Sequence, residues 1–277
     1  MAINPLVLPS SDSTLLAEYT KYFSLSISGS PRPALSKVVH AFNNIPYENL
    51  SKVVRAAGAS HPNAGMEGPA EILAGHYRWG TGGTCFSLTA TLLHLVRSLG
   101  FRAEPILADR FYGPDTHCAL CVWIDDAPHL LDPGFLISEP VPLFSNTTQH
   151  LETAFNRLIL VGGNNGETLE LRTADQNGEK RRLTYRTAPV DDVEFLAAWE
   201  KSFSWDMMHY PILTQVREGR QIYIQKDRIM MRDRQSVSRT VLDHDEMAAW
   251  ISRHFGIALQ VVQAAFDILA GKGGARG

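Results

Sequence analysis

The chain has 277 residues, and its 26 lysines and arginines against 29 aspartates and glutamates give a formal net charge of -3. So balanced a charge gives no electrostatic reason to expect a nucleic acid or an anionic membrane as partner, and a small, uncharged or mildly polar ligand fits better. The three cysteines are too few for a disulfide framework, and the chain lacks both a signal-peptide core and an apolar run of about 18 residues, so we expect a cytoplasmic protein.

Helical patterns dominate residues 1–100, which we assign to a first, helical domain. Pro33 opens an amphipathic run, as proline does in the first turn of a helix. The clearest helix follows Cys85, where apolar residues recur at helical spacing along one stripe before Gly100 ends it. The stripe consists of Leu88, Leu92, Leu95, Val96 and Leu99.

Strand patterns replace the helical ones after Gly100, and we assign residues 101–190 to a β-barrel domain. Short apolar or alternating runs separated by turn residues cover 101–108, 117–124 and 130–131. Further along, the pair Asn177-Gly178 is a strong hairpin signal.

Residues 191–277 mix the two patterns and are assigned to a third, α/β domain. Helical spacing at 193–203 is followed by strand-like alternation at 221–231, and Asp243 with Glu246 forms a capping box before another helix. The fold class predicted for the whole chain is therefore α+β.

Cys85 is the first candidate for chemistry, because a glycine-rich turn, residues 80–84, leads directly into the clearest helix. The unpaired N–H groups and the positive dipole at a helix N-terminus favour a thiolate, which is the nucleophilic form of cysteine. Gly82 and Gly83 would let backbone approach a substrate, and N–H groups of the turn could bind an oxyanion. A buried cysteine filling a tight helix start is the alternative.

His117 and Asp132 are the candidate partners of Cys85. His117 follows a turn at 113–116 and opens a strand, and Asp132 closes the next strand, which we expect to pair with it. Cysteine attack, proton transfer by imidazole and orientation of that imidazole by a carboxylate form a coherent set of roles. A surface histidine and a turn-capping aspartate before Pro133-Gly134 are the alternatives.

Cys118 and Cys121 resemble a redox or zinc motif, but we discount it. Along an extended strand their sulfurs point to opposite faces, and further ligands at zinc spacing are missing, so no metal is expected. The same alternation points Cys118 away from His117, which leaves Cys85 as the better partner of the histidine.

These residues resemble motifs of the arylamine N-acetyltransferase family. The segments that carry the resemblance are Ile45-Pro46-Tyr47-Glu48-Asn49-Leu50, Thr81-Gly82-Gly83-Thr84-Cys85-Phe86, Thr116-His117 and Asp132-Pro133-Gly134-Phe135. The resemblance implies a helical bundle, a β-barrel and an α/β lid with a Cys-His-Asp triad. It also implies ping-pong transfer of an acetyl group from acetyl-coenzyme A, through the cysteine, to an arylamine or arylhydrazine.

By the same resemblance, Phe135, Gly83 and Phe86 are expected to bind substrate. The chain departs from the family pattern at three positions: Thr81 replaces an arginine, Ser87 an acidic or amide residue, and Leu136 a glycine. Because the last position lies where coenzyme A would approach, the Cβ of Leu136 could crowd the donor.

Three other functions remain open. The chain could be an amide synthase that takes its acyl group from a carrier-bound polyketide, or a transglutaminase-like amidase or protease that uses the same triad. It could also be a scaffold that keeps the triad but only binds a ligand or partner.

Overall fold

The computed structural model describes residues 4, 6–10, 13–143, 148–175 and 178–273. Its N-terminal part is helical, and the last of these helices, α5, is buried along most of its length. Gly100, at φ +89°, follows its end, as the sequence predicts. The helices are α1 (Leu15–Tyr22), α2 (Pro31–Phe42), α3 (Leu50–Gly58), α4 (Pro69–Trp79) and α5 (Cys85–Ser98); a two-residue strand, β1 (Tyr47–Glu48), lies between α2 and α3.

A large antiparallel sheet follows α5, with eight strands among the described residues. In spatial order they are β5, β4, β3, β2, β9, β8, β7 and β6. Apolar side chains from strands throughout this order pack into one core, so the sheet is curled. Its strands are β2 (Ala103–Arg110), β3 (Gly113–Ile124), β4 (Ala127–Asp132), β5 (Ile137–Pro142), β6 (Gln149–Glu152), β7 (Arg157–Gly163), β8 (Thr168–Asp175) and β9 (Gly178–Arg186).

The C-terminal part combines helices with a smaller antiparallel sheet, and β1 joins this sheet beside β10. A separate hydrophobic core forms where this sheet packs against α3 and the last two helices. The elements are α6 (Asp192–Lys201), β10 (Ile212–Arg217), β11 (Arg220–Gln225), β12 (Arg228–Arg232), β13 (Val237–Val241), α7 (His244–Phe255) and α8 (Leu259–Gly273).

The architecture confirms the predicted α+β class, with helices first, a curled sheet in the centre and an α/β region last. Domain limits at residues 100 and 190 stay a prediction. One expectation was wrong: β3 begins at Gly113, so His117 lies within the strand instead of opening it. Its pairing with Ala108 of β2 extends the ladder almost to the hairpin tip.

The hairpin predicted around Gly178 is present, since β8 pairs with β9 up to Asp175 and Gly178; Asn177 lies outside the described residues. Across the ranges given above, every helix falls short of the length and hydrophobicity needed to span a membrane.

Candidate active site

Cys85 is the first residue of α5 and is almost completely buried. The turn before it packs closely on the segment leading into β1: a Cβ on Gly82 would lie 1.8 Å from the carbonyl oxygen of Pro46. Gly82 therefore makes a close contact with the protein's own backbone, whereas a Cβ on Gly83 would lie 2.2 Å from Ser87 Oγ. The Gly83 amide donates to Pro46 O (3.3 Å) and its carbonyl accepts from Glu48 N (2.9 Å).

The amide of Gly82 is also occupied, because it donates to the buried carboxylate of Glu48 (3.0 Å). This carboxylate accepts two further bonds from Ser51, from the amide and from the hydroxyl. Neutral donors thus satisfy Glu48 beside the turn that carries Thr81. Candidate donors to an oxyanion are then the N–H groups in the first turn of α5, which have no acceptor within their own helix.

His117 and Asp132 come together as β3 and β4 pair in the predicted antiparallel manner. The Nε2 atom of His117 lies 2.7 Å from Asp132 Oδ2, and both side chains are fully buried. The same oxygen accepts from the Tyr185 hydroxyl at 2.6 Å, and Oδ1 accepts from the amide of Phe135 at 2.9 Å. Ala108 pairs with both His117 and Tyr185, and its small side chain leaves both rings able to reach the carboxylate.

Gly134 marks the point where all three predicted catalytic residues meet. A Cβ at this glycine would lie 2.7 Å from His117 Cε1, 3.3 Å from Asp132 Oδ1 and 3.5 Å from Cys85 Cβ. The backbone of residue 134 therefore lies directly against the sulfur-bearing residue, the imidazole and the carboxylate. The structure brings the three residues together as the sequence predicts.

The surroundings of Cys85 favour its thiolate. A hydrogen bond with the Cys118 thiol is the largest influence; burial opposes it, and a hydrogen bond with His117 and the nearby positive charges of His117 and Arg110 add to it. Together they hold the pKa of Cys85 well below its usual range. Cys118 in turn has a raised pKa, chiefly because it is buried, so it stays protonated; its thiol also lies 3.4 Å from the Thr89 hydroxyl, to which it can donate.

The imidazole and the carboxylate stabilise each other's charged form. Burial alone would lower the pKa of His117, but the charge of Asp132 and the hydrogen bonds with Asp132 and Cys85 raise it. Burial would likewise raise the pKa of Asp132, but His117, the Tyr185 hydroxyl and the Phe135 amide lower it. The site thus favours a thiolate beside an imidazolium and a carboxylate.

Of the predicted substrate-binding residues, Phe135 lies beside the candidate triad. Its ring meets that of His117 edge-on, with the ring centroids 5.4 Å apart. Phe86 lies instead in an aromatic cluster with Phe195, Trp199 and Trp205. Leu136 keeps a backbone conformation typical of glycine, at φ +59°, and is buried.

Three residues at the site were not among the sequence candidates. Cys118 faces the same core as Cys85, whereas Cys121 faces the interior of the curled sheet, so the two sulfurs do point to opposite faces. Strand alternation places Cys118 and His117 on opposite faces of β3. It does not show that both residues influence Cys85. Tyr185 reaches Asp132 from a strand 53 residues later.

Arg110 is the third such residue, and it approaches His117 from the side opposite to Asp132. Its Nη2 lies 3.0 Å from His117 Nδ1. An arginine at the end of a strand just before a hairpin carries no signal of this role. Within the described part of the chain, no group of three or more histidine, cysteine or acidic side chains is arranged to hold a metal ion.

Comparison with known proteins agrees with this architecture. The structure resembles arylamine N-acetyltransferases from Mycobacterium abscessus (TM-score 0.76, 20% identity, covering 95% of this chain and 99% of that one) and Salmonella typhimurium (0.74, 17%, 92% and 98%). It also resembles the Mycobacterium marinum arylamine N-acetyltransferase in complex with CoA (0.73, 17%, 92% and 99%).

A comparison with curated protein sequences gives no significant match. The sequence model of a family described as N-acetyltransferase matches residues 33–264, a span that includes the whole candidate site. The chain therefore belongs to the arylamine N-acetyltransferase family.

Proposed function

We propose that this acetyltransferase carries an acetyl group on Cys85, taking it from acetyl-coenzyme A and passing it to an arylamine or arylhydrazine. The observation that carries the proposal is the convergence of Cys85, His117 and Asp132 around the backbone of Gly134. A low thiol pKa, an imidazole able to exchange a proton with the sulfur and a carboxylate fixing that imidazole are what covalent acyl transfer requires.

In the first half-reaction the Cys85 thiolate attacks the thioester carbonyl, and the new C–S bond gives a tetrahedral oxyanion. N–H groups in the first turn of α5 are candidates to stabilise this charge. When the bond to the coenzyme A sulfur breaks, the leaving thiolate takes the proton from His117. Acetylated Cys85 and coenzyme A thiol result.

In the second half-reaction the amine nitrogen attacks the acetyl carbonyl on Cys85. His117, neutral after giving up its proton, accepts a proton from the attacking nitrogen, and Cys85 leaves as a thiolate. Asp132 stays ionised and holds Nε2 of the imidazole throughout, so that Nδ1 is the atom that exchanges protons.

Two observations support the choice of substrates. The Mycobacterium marinum relative is in complex with CoA, which supports a coenzyme A thioester as donor. The Phe135 ring lies edge-on to His117, and an aromatic acceptor could pack against it while its amine points to the acylated cysteine.

Mass spectrometry of the intact protein tests the proposal. After incubation with acetyl-coenzyme A alone, we expect one added acetyl group on Cys85, which aniline or phenylhydrazine then removes as the N-acetyl product. Cys85→Ser should remain unmodified. Cys121→Ala, which alters a buried cysteine facing the other core, is the matched control and should acetylate like the native protein.

An acetyl group that persists in Cys85→Ser would contradict the proposal. Loading of Cys85 from an acyl carrier protein thioester but not from acetyl-coenzyme A would contradict it in favour of an amide synthase. Release of ammonia from glutamine peptides, without any acetylation, would contradict it in favour of an amidase.

A further inference from the structure

Arg110 lies over the candidate triad, at the end of β2. Its guanidinium donates to His117 Nδ1 (3.0 Å) and to the Tyr112 hydroxyl (3.2 Å), and its Cζ atom lies 5.5 Å from the centroid of the Phe135 ring. Tyr112 is 54% exposed, whereas the triad is buried. Arg110 therefore lies between the surface of the molecule and the reacting atoms.

The charge of Arg110 faces the Cys85 thiolate and not a carboxylate. No carboxylate forms an ion pair with it anywhere in the described ranges, and its buried Nε has no hydrogen-bond partner there. Arg186, by contrast, pairs with Asp115 and Glu194 at distances of 2.5 and 3.0 Å. A guanidinium is planar and offers five donors suited to a carboxylate, so leaving it in a buried site without an acidic partner is costly.

Aromatic side chains surround this cation. Tyr47 and Tyr223 lie close enough that the Arg110 charge partly offsets burial, the main factor raising their pKa values. Phe135 and Tyr112 contact the guanidinium directly and place ring surfaces beside one strong donor. Such a combination suits a small molecule that carries a carboxylate near an apolar group.

The atom that Arg110 contacts, His117 Nδ1, is also the atom that exchanges protons in the proposed acyl transfer. When His117 is neutral, Nδ1 has a single lone pair, and while Arg110 donates to that lone pair it cannot take the proton of the Cys85 thiol. A carboxylate would bind the guanidinium more strongly than a neutral nitrogen does, because the bond is charge-assisted and can be bidentate. Binding a carboxylate would leave Nδ1 to Cys85.

We propose that Arg110 binds a carboxylate carried by the substrate, on either the acyl group or the acceptor, and so makes this site selective for anionic substrates. The inference rests on the proposed acyl transfer through Cys85. It assigns Arg110 to substrate recognition, with release of the His117 lone pair as a consequence.

Alkylation of Cys85 by two matched reagents tests the carboxylate site without acyl transfer. Iodoacetate and iodoacetamide both alkylate the thiolate and release iodide, but only iodoacetate is anionic. Relative to a free cysteine, we expect the native protein to prefer iodoacetate over iodoacetamide. Arg110→Met should lower that rate ratio about tenfold or more, Arg110→Lys should lower it less, and Arg102→Met, at an exposed arginine, should leave it unchanged.

A ratio that is equal in native protein, Arg110→Met and Arg110→Lys would overturn the proposal, even if both rates change together because a bulky side chain has been removed. A ratio that follows Arg110 while acetyl-coenzyme A fails to load Cys85 would support the carboxylate site and contradict the transferase. The two hypotheses can therefore fail separately.

The source of the carboxylate is found by comparing substrates. Succinyl-coenzyme A against acetyl-coenzyme A tests the acyl group, and 4-aminobenzoate against 4-aminobenzamide tests the acceptor. We expect an Arg110-dependent preference in kcat/KM for the anionic member of one pair. Loss of that preference in Arg110→Met identifies the source, whereas its absence from both pairs would overturn the proposal.

Discussion

Asp132 and Arg110 contact opposite edges of the same imidazole, and their surroundings differ. The carboxylate of Asp132 is fully buried and accepts from an imidazole, a phenol and a backbone amide. Arg110 makes its hydrogen bonds to a phenol and to the imidazole, pairs with no carboxylate among the described residues, and has one nitrogen without a partner there. A group with all its bonds made holds its neighbour in place, whereas a group with bonds to spare can receive a ligand.

Replacing the Asp132 carboxylate is expected to have the largest effect. In Asp132→Asn the amide can offer its NH2 group to Nε2 of His117 and favour the wrong tautomer, and it no longer stabilises the imidazolium. We expect kcat/KM for acetyl transfer to fall by about 10³-fold or more. Asp125→Asn, at an exposed aspartate, is the control, and a loss below tenfold at Asp132 would refute this view of the triad.

The second largest effect is expected from a methyl group placed against His117 Cε1, between the two ring nitrogens. The Cβ of Gly134→Ala would lie 2.7 Å from His117 Cε1, and the ring cannot move away without losing its 2.7 Å bond to Asp132. We expect kcat to fall by about a hundredfold, because small displacements of reacting groups cost that much. Gly58→Ala, where a Cβ meets nothing within 4 Å, should have native activity.

If Gly134→Ala were also fully active, the close packing around the triad would have no part in catalysis. Thermal unfolding of both alanine variants shows whether a lost rate reflects the site or the fold.

The smallest effect is expected from removing the Cys118 thiol, which tests why the pKa of Cys85 is low. The Cys118 hydrogen bond lowers the pKa of Cys85, so Cys118→Ala should raise it. At a pH below the shifted pKa of Cys85 fewer thiolates exist, so iodoacetamide alkylation there should slow by roughly threefold to tenfold. At a pH above both pKa values the rate should be unchanged.

Cys118→Ser keeps a hydroxyl donor and serves as the matched variant, with a smaller shift expected. Equal pH profiles for the native protein and Cys118→Ala would show that the neighbouring thiol does not stabilise the thiolate.

Local patterns predicted the elements that carry the candidate triad. The apolar stripe after Cys85 identified α5, and adjacent runs around His117 and Asp132 identified two strands that do pair. What the sequence could not show depends on pairing between distant strands. Tyr185 reaches Asp132 only because β9 lies beside β2, and no local pattern reports that order.

The same limit explains the other omissions. Alternation along β3 tells which face a side chain occupies, but Cys85 lies where it can contact residues of both faces, so Cys118 was left out of the site. Arg110 follows no motif, and its proximity to His117 comes from the pairing of β2 with β3 close to their hairpin.

The short strand β1 couples parts of the molecule that lie far apart in sequence. Tyr47 bridges to Gly83 in the turn that carries the thiol, and on its other side pairs with Thr214 of β10. The turn is thus an extension of the smaller sheet, although its cysteine lies beside residues of the larger one. Mutations or heat that loosen residues 212–241 should therefore lower the reactivity of Cys85 while His117 and Asp132 are still in place.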